Sequence, residues 1–164
     1  MKTLTLLRHA KSSWKDATLA DHERPLNARG ERDAPLMATR IRAAGIRPSL
    51  ILSSPAVRAW TTAKVAAEEI SYPLEFLQRE KELYLAGSQT LIDVLARQDA
   101  GFNSIMLVGH NPGLTDFANF MLPGLTNNVP TCGMVAVRVR ADDWDLRSAR
   151  GFELLSYDYP KKDQ

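Results

Sequence analysis

The sequence predicts an α/β fold: one three-layer α/β/α domain, with helices on both faces of a mostly parallel central sheet. Three observations predict it. Short apolar runs alternate along the chain with longer helix-like stretches. The early runs are apolar at consecutive positions, as strands covered on both faces are. Polar residues of one recurring kind follow three of those runs, where a parallel sheet presents its carboxyl edge.

The elements follow in order. Residues 3–7 (TLTLL) read as a buried strand. Residues 28–44 read as the first helix, and Pro35 inside it either kinks that helix or marks its true start. The run 50–52 within PSLILSS is a second strand, followed by a helix over 55–70. Residues 74–77 make a weaker third strand, 88–97 a helix, 104–108 (SIMLV) a fourth strand and 113–121 the last helix. Residues 124–133 (GLTNNVPTCG) are turn-forming and read as a loop. The run 134–139 (MVAVRV) alternates as a half-exposed strand does, and 152–157 (FELLSY) closes the set. The single domain spans 1–164, with the tail 160–164 expected to fray.

Composition narrows the function classes. With 164 residues, 45% of them hydrophobic, the chain can bury a core without a disulfide or metal staple. Its 21 basic and 19 acidic residues leave a net charge of +2 with no basic stripe, so nucleic acid is not an expected partner. The one cysteine, Cys132, rules out a disulfide framework and any zinc site built on several thiolates. The apolar start breaks at Arg8, too soon for a signal segment or a membrane span. The expected setting is therefore the cytoplasm, with no membrane partner. His9, His22 and His110 lack metal-ligand spacing, and the nucleotide-binding fingerprints are absent, so no metal or other cofactor is expected. Cys132 and Arg138 match the C-x5-R spacing of cysteine phosphatases, but the β-prone residues between them cannot curl around a phosphate.

The candidate site lies at the strand ends. Arg8-His9-Ala10-Lys11-Ser12 follows the first run, Ser53-Ser54-Pro55-Ala56-Val57-Arg58 the second, and Gly109-His110-Asn111-Pro112-Gly113 the fourth. Ser54 with Pro55, and Asn111 with Pro112, are cap-and-first-turn pairs that open helices. Helix N-termini offer free N–H groups and a positive dipole end. Two arginines and two histidines thus gather at one sheet edge, which suits a compact dianion such as phosphate.

At these residues the chain resembles the histidine phosphatase superfamily, the phosphoglycerate-mutase-like group. The signature Arg-His-Gly appears as LLRHAKS, with Ala10 in place of glycine, and SSPxxRAxxTA spans residues 53–63. The second histidine lies in VGHNPG. The short length, the GHNPG form and the Asp21…Arg24-Pro25-Leu26 segment look most like the SixA-type phosphohistidine phosphatases. Lys15 departs from the mutase pattern, which often carries an asparagine there. The resemblance implies a phosphoglycerate-mutase-like fold and a metal-independent phosphatase. In it His9 would attack phosphorus and form a phosphohistidine intermediate, while Arg8, Arg58 and His110 hold the phosphoryl oxygens. Glu82, in REKELYLAG, falls where the family's donor acid usually lies, with Asp21 and Asp16 as further candidates. Arg24 either adds charge near the phosphate or pairs with Asp21, and Ser12 is a further candidate phosphate contact. The implied substrate is phosphohistidine on a protein. The alternatives are a small phosphate ester, such as a sugar or nucleotide phosphate, or a binding module without turnover.

Overall fold

The computed structural model describes residues 1–162. Six strands form one sheet in the order β3-β2-β4-β1-β5-β6. The strands are β1 (Lys2–Arg8), β2 (Leu50–Ser53), β3 (Gln78–Arg79), β4 (Ser104–Gly109), β5 (Met134–Val139) and β6 (Phe152–Asp158). β1, β2, β3 and β4 pair in parallel, and β5 runs antiparallel to both of its neighbours. Four helices connect them: α1 (Ala28–Ala43), α2 (Val57–Glu69), α3 (Ser88–Ala96) and α4 (Gly113–Met121).

Strand alternation feeds two cores. Leu4, Leu6, Ile105 and Leu107 pack with α3 and α4 on one face. Leu7, Ile51, Met106 and Val108 pack with α1 and α2 on the other. Consecutive residues of β1, β2 and β4 are therefore apolar because each face has its own helix pair. α1 starts at Ala28, capped by the Asn27 side chain, which accepts from the Gly30 N–H at 2.8 Å. Pro35 thus sits inside the helix and does not mark its start.

Two expectations need correction. Residues 74–77 are not a strand: Leu74–Phe76 is a 3-10 turn after Pro73, and the edge strand begins at Gln78. β5 is not half-exposed, because it lies between β1 and β6 under both cores, and Arg138 alone of its residues is exposed. The tail carries a turn through Lys162, whose N–H donates to the Tyr159 carbonyl at 3.1 Å, and Pro160 is buried. Residues 163 and 164 lie outside the described residues.

The first residue of α4 locks the site's far wall. A Cβ on Gly113 would lie 1.8 Å from the Ala86 carbonyl oxygen, so only glycine lets α4 dock against the segment after Leu83. Gly87, beside it in space, has open room for a Cβ. Gly113→Ala is expected to cost about 1–3 kcal/mol, about 2–4 °C of Tm for each kcal/mol, while Gly87→Ala, which meets no clash and only replaces the cap residue of α3, costs less, about 0.5–1 kcal/mol. Thermal unfolding of the pair checks this, and equal melting temperatures would show that the backbone shifts at no cost.

Candidate active site

β1 and β4 are adjacent and parallel, with Arg8 opposite Gly109. His9 and His110 are therefore the first residues beyond two neighbouring strands, and their ring centroids lie 5.2 Å apart. The chain leaves β1 toward α1 on one face and β4 toward α4 on the other. That divergence opens a crevice at the carboxyl edge, the place where open α/β sheets hold ligands.

A cavity of about 180 Å³ occupies the crevice, with Arg8, His9, Lys11, Arg24, Arg58 and His110 in its wall. Arg8 ends β1, and its Nη1 donates to the Val129 carbonyl at 2.9 Å. Arg58 is the second residue of α2 and only 3% exposed. Its Nη1 donates to the Asp21 carbonyl at 2.7 Å and its Nη2 to Asp21 Oδ2 at 2.9 Å. Arg24 donates from Nη1 to Ser12 Oγ at 2.8 Å and from Nε to Asp21 Oδ1 at 3.2 Å. Asp21 is the carboxylate that Arg24 and Arg58 share, against four cationic side chains in the cavity wall. The Nε atoms of Arg8 and Arg58 are buried with no partner among the described residues. So much positive charge, incompletely paired and partly desolvated, makes the cavity strongly attractive to an anion.

Both histidines are neutral at pH 7. Burial is the largest effect and pushes His9 down to about 4; its bond to Ala10, the next largest, opposes this, and Arg58, Arg8 and Arg24 each lower it further. Burial, His9 and Arg58 push His110 down to about 3. The Ala10 carbonyl can only accept, so the 2.8 Å contact with His9 Nδ1 places the proton on Nδ1 and leaves the lone pair on Nε2. Arg58 can only donate, so His110 Nδ1, 3.5 Å from Arg58 Nη2, acts as acceptor, and His110 Nε2–H donates to Ser54 Oγ at 2.7 Å.

Several expected residues converge: Arg8, His9, Arg58, His110, Arg24 and Ser12 all line the cavity, and Asp21 braces it. Arg24 is paired with Asp21, as one of its two expected readings had it, and it also lines the cavity. Glu82 is not brought there. It is half exposed and pairs with Arg97 at 3.1 Å, because its 3-10 turn directs it toward α3. Lys15 and Asp16 are exposed and lie outside the cavity wall. The Ala10 methyl is buried in the α1–α2 core and does not line the cavity. Neither expected cap opens its helix directly: α2 begins at Val57 after Ala56, and α4 at Gly113 after Pro112. Ser54 and Asn111 instead accept bonds from the Ala56 and Thr115 N–H groups. Burial pushes the Cys132 thiol up to about 12, and Arg138 points outward to Glu153, so no cysteine-phosphatase cradle exists.

Tyr84 escaped sequence reasoning. Its hydroxyl donates to Asp21 Oδ2, and its ring stands edge-on to His110 at 5.5 Å. That bond, followed by those from Arg58 and Arg24, holds the Asp21 carboxyl down at about 2 against the opposing effect of burial. Nothing in the run KELYLAG distinguishes such a tyrosine from a packing residue.

The model of the histidine phosphatase superfamily (branch 1) matches residues 4–110. The chain belongs to that superfamily. It is 33% identical over 152 residues to an uncharacterised chloroplast protein of Arabidopsis thaliana, covering 88% of this chain and 69% of the relative. A solved structure from Agrobacterium tumefaciens, assigned as the phosphohistidine phosphatase SixA, superposes with a TM-score of 0.81 at 29% identity, covering 97% of this chain and 98% of that one. The protein histidine phosphatase SixA complexed with tungstate superposes with a TM-score of 0.75 at 20% identity, covering 96% of each chain. The phosphoglycerate-mutase-like fold follows, and the chain is a phosphatase of the SixA-like kind. No helix among the described residues is long and apolar enough to cross a membrane.

The depressed histidines tie stability to pH. An unfolded histidine titrates near 6.5, whereas folded His9 titrates near 4, so between those values the unfolded chain binds more protons. Stability is therefore full above about pH 6.5 and falls as the pH drops toward 4, by about 3 kcal/mol from His9 alone. Denaturant unfolding from pH 7 to pH 4 is expected to show this fall, with a shallower slope in His9→Gln. Parallel slopes would show that His9 is not buried in its neutral form.

Proposed function

We propose that this phosphatase removes the phosphoryl group from phosphohistidine on a protein, using His9 as nucleophile and no metal. The observation that carries the reading is His9 itself: neutral, with its Nε2 lone pair free, in a wall of four cations. In the proposed sequence Nε2 attacks phosphorus in line, and the P–N bond to the substrate imidazole breaks with its electron pair going to that imidazole. Water then attacks the phosphorus on His9, releasing inorganic phosphate and restoring Nε2. Arg8, Arg58 and Arg24 neutralise the phosphoryl oxygens throughout, with the neutral His110 beside them in the cavity wall. Phosphoryl transfer depends more on such positioning and charge than on covalent chemistry from the protein.

Two features favour this substrate over an alkyl phosphate. Asp21, held near 2, is an ionised acceptor at neutral pH, and Glu82 faces Arg97 on the surface. Neither is placed as a protonated acid for an alkoxide leaving group. An imidazole carries its own proton near neutrality and leaves without that help. The cavity's 180 Å³ is also below the roughly 300–1,000 Å³ that encloses a drug-sized ligand. It holds a phosphoryl group and the side chain bearing it, with the rest of the substrate outside. A single buried thiol supports a reducing setting such as the cytoplasm.

The test compares a phosphohistidine protein and an aryl phosphate in excess EDTA. Wild type is expected to turn over both, and His9→Ala to lose about 10³-fold or more on each. Turnover that survives His9→Ala would overturn the nucleophile, and a small alkyl ester far outpacing the phosphohistidine protein at equal concentration would overturn the substrate. Binding of phosphate without turnover in wild type would favour the binding module instead.

The two carboxylates separate in the same assay. Glu82→Gln is expected to stay within about twofold of wild type. Asp21→Asn releases Arg58 and Arg24 and is expected to lower kcat/KM by about 10- to 100-fold, the usual effect of misplaced positioning groups. The reverse ranking would restore Glu82 as the acid.

A further inference from the structure

The polar floor of the cavity has an apolar rim that phosphate chemistry alone does not need. Trp14 lies in the cavity wall yet is 75% exposed. One face of its indole stacks on the Arg24 guanidinium, whose central carbon lies 3.5 Å from the ring centroid. Arg24 is itself buried and tied to Asp21 and Ser12, so the indole rests on a fixed base. Its other face is left to the solvent. Leu85 is the second apolar side chain of the wall, 54% exposed. Its backbone has φ of 50°, a left-handed conformation costly for a branched residue and tolerated where surrounding structure imposes it.

We propose that Trp14 and Leu85 form a subsite for the flat ring of the leaving group, so that the site selects phosphoryl groups carried on a planar ring over those carried on an alkyl chain. The inference rests on the proposed phosphatase reading and extends it to the choice of side chain. The rim lies in the same small cavity as His9 and Arg58, so a phosphoryl group bound among the cations brings its ring to the rim. A ring gains from stacking on an indole face, and an alkyl chain offers no such face.

The test uses wild type, Trp14→Phe, Trp14→Ala and Leu85→Ala. A phosphohistidine peptide and p-nitrophenyl phosphate are the ring substrates. Phosphoserine, followed as a substrate or a competitive inhibitor, is the alkyl comparison, and vanadate inhibition reports the phosphate floor. Trp14→Ala is expected to lose about 5- to 10-fold in kcat/KM on both ring substrates, mainly through KM. Phosphoserine and vanadate are expected to stay within about twofold, with Trp14→Phe recovering most of the loss and Leu85→Ala losing less than Trp14→Ala. Equal losses on ring and alkyl compounds, with vanadate weakened as well, would overturn the proposal and leave Trp14 as a brace for Arg24. No change on any compound would overturn it too. Should wild type cleave p-nitrophenyl phosphate but not phosphohistidine, the proposed substrate fails, and the aryl-to-alkyl ratio still decides the subsite.

Discussion

The parallel pairing of β1 with β4, Arg8 opposite Gly109, is the constraint on which the site depends. A parallel ladder fixes not only which strands touch but which residues leave the sheet together. Because β1 and β4 end level, His9 and His110 emerge side by side, and a slip of one residue would turn each onto the opposite face. The register is held by burial on both faces: Leu6 and Leu107 pack in one core, Leu7 and Val108 in the other. The packing that stabilises the sheet therefore also sets the spacing of the two imidazoles.

That placement has an electrostatic cost. Three guanidiniums and two imidazoles converge where water is scarce, and desolvation favours their neutral forms. The histidines respond by losing their protons, which leaves His9 Nε2 with a free lone pair. The arginines cannot, and Asp21 offsets part of their charge. Its carboxylate accepts from Arg24, Arg58 and Tyr84, and its backbone carbonyl accepts from Arg58 again. One carboxylate orients two guanidiniums and leaves enough positive charge for a dianion. Full neutralisation would have stabilised the empty site and weakened its hold on phosphate.

How legible each part was follows from the range of the interaction behind it. The residues at the carboxyl edge could be read because strand ends and helix starts are local features: Arg8-His9, Arg58 and His110 each sit within a few residues of an apolar run. The two-sided burial of β5 could not, because its alternation came from Arg138 while its cover comes from β6 and two distant cores. Glu82 and Tyr84 show the same limit at finer scale. They are two residues apart on one short turn, yet Glu82 turns to Arg97 and Tyr84 to Asp21. The partners lie 15 and 63 residues away, so no local pattern separates the two fates.

The strap between β1 and α1 explains how an open site can still be ordered. Ser13 N–H donates to the Pro25 carbonyl at 2.8 Å and Asn27 N–H to the Lys11 carbonyl at 3.0 Å, so the strap is closed at its base. Gly30 lets α1 press against it, since a Cβ there would lie 2.1 Å from the Lys11 carbonyl oxygen. Asp21, Arg24 and Trp14 are thus held by a loop fastened to the domain. A site that must close over its ligand spends binding energy on the closure. Here the strap already holds Arg24 and Arg58 in place through Asp21, while Arg8 is fixed separately by the Val129 carbonyl. Prior ordering matters to an anion site of any kind: charge that is fixed in place before the anion arrives costs no reorganisation when it binds.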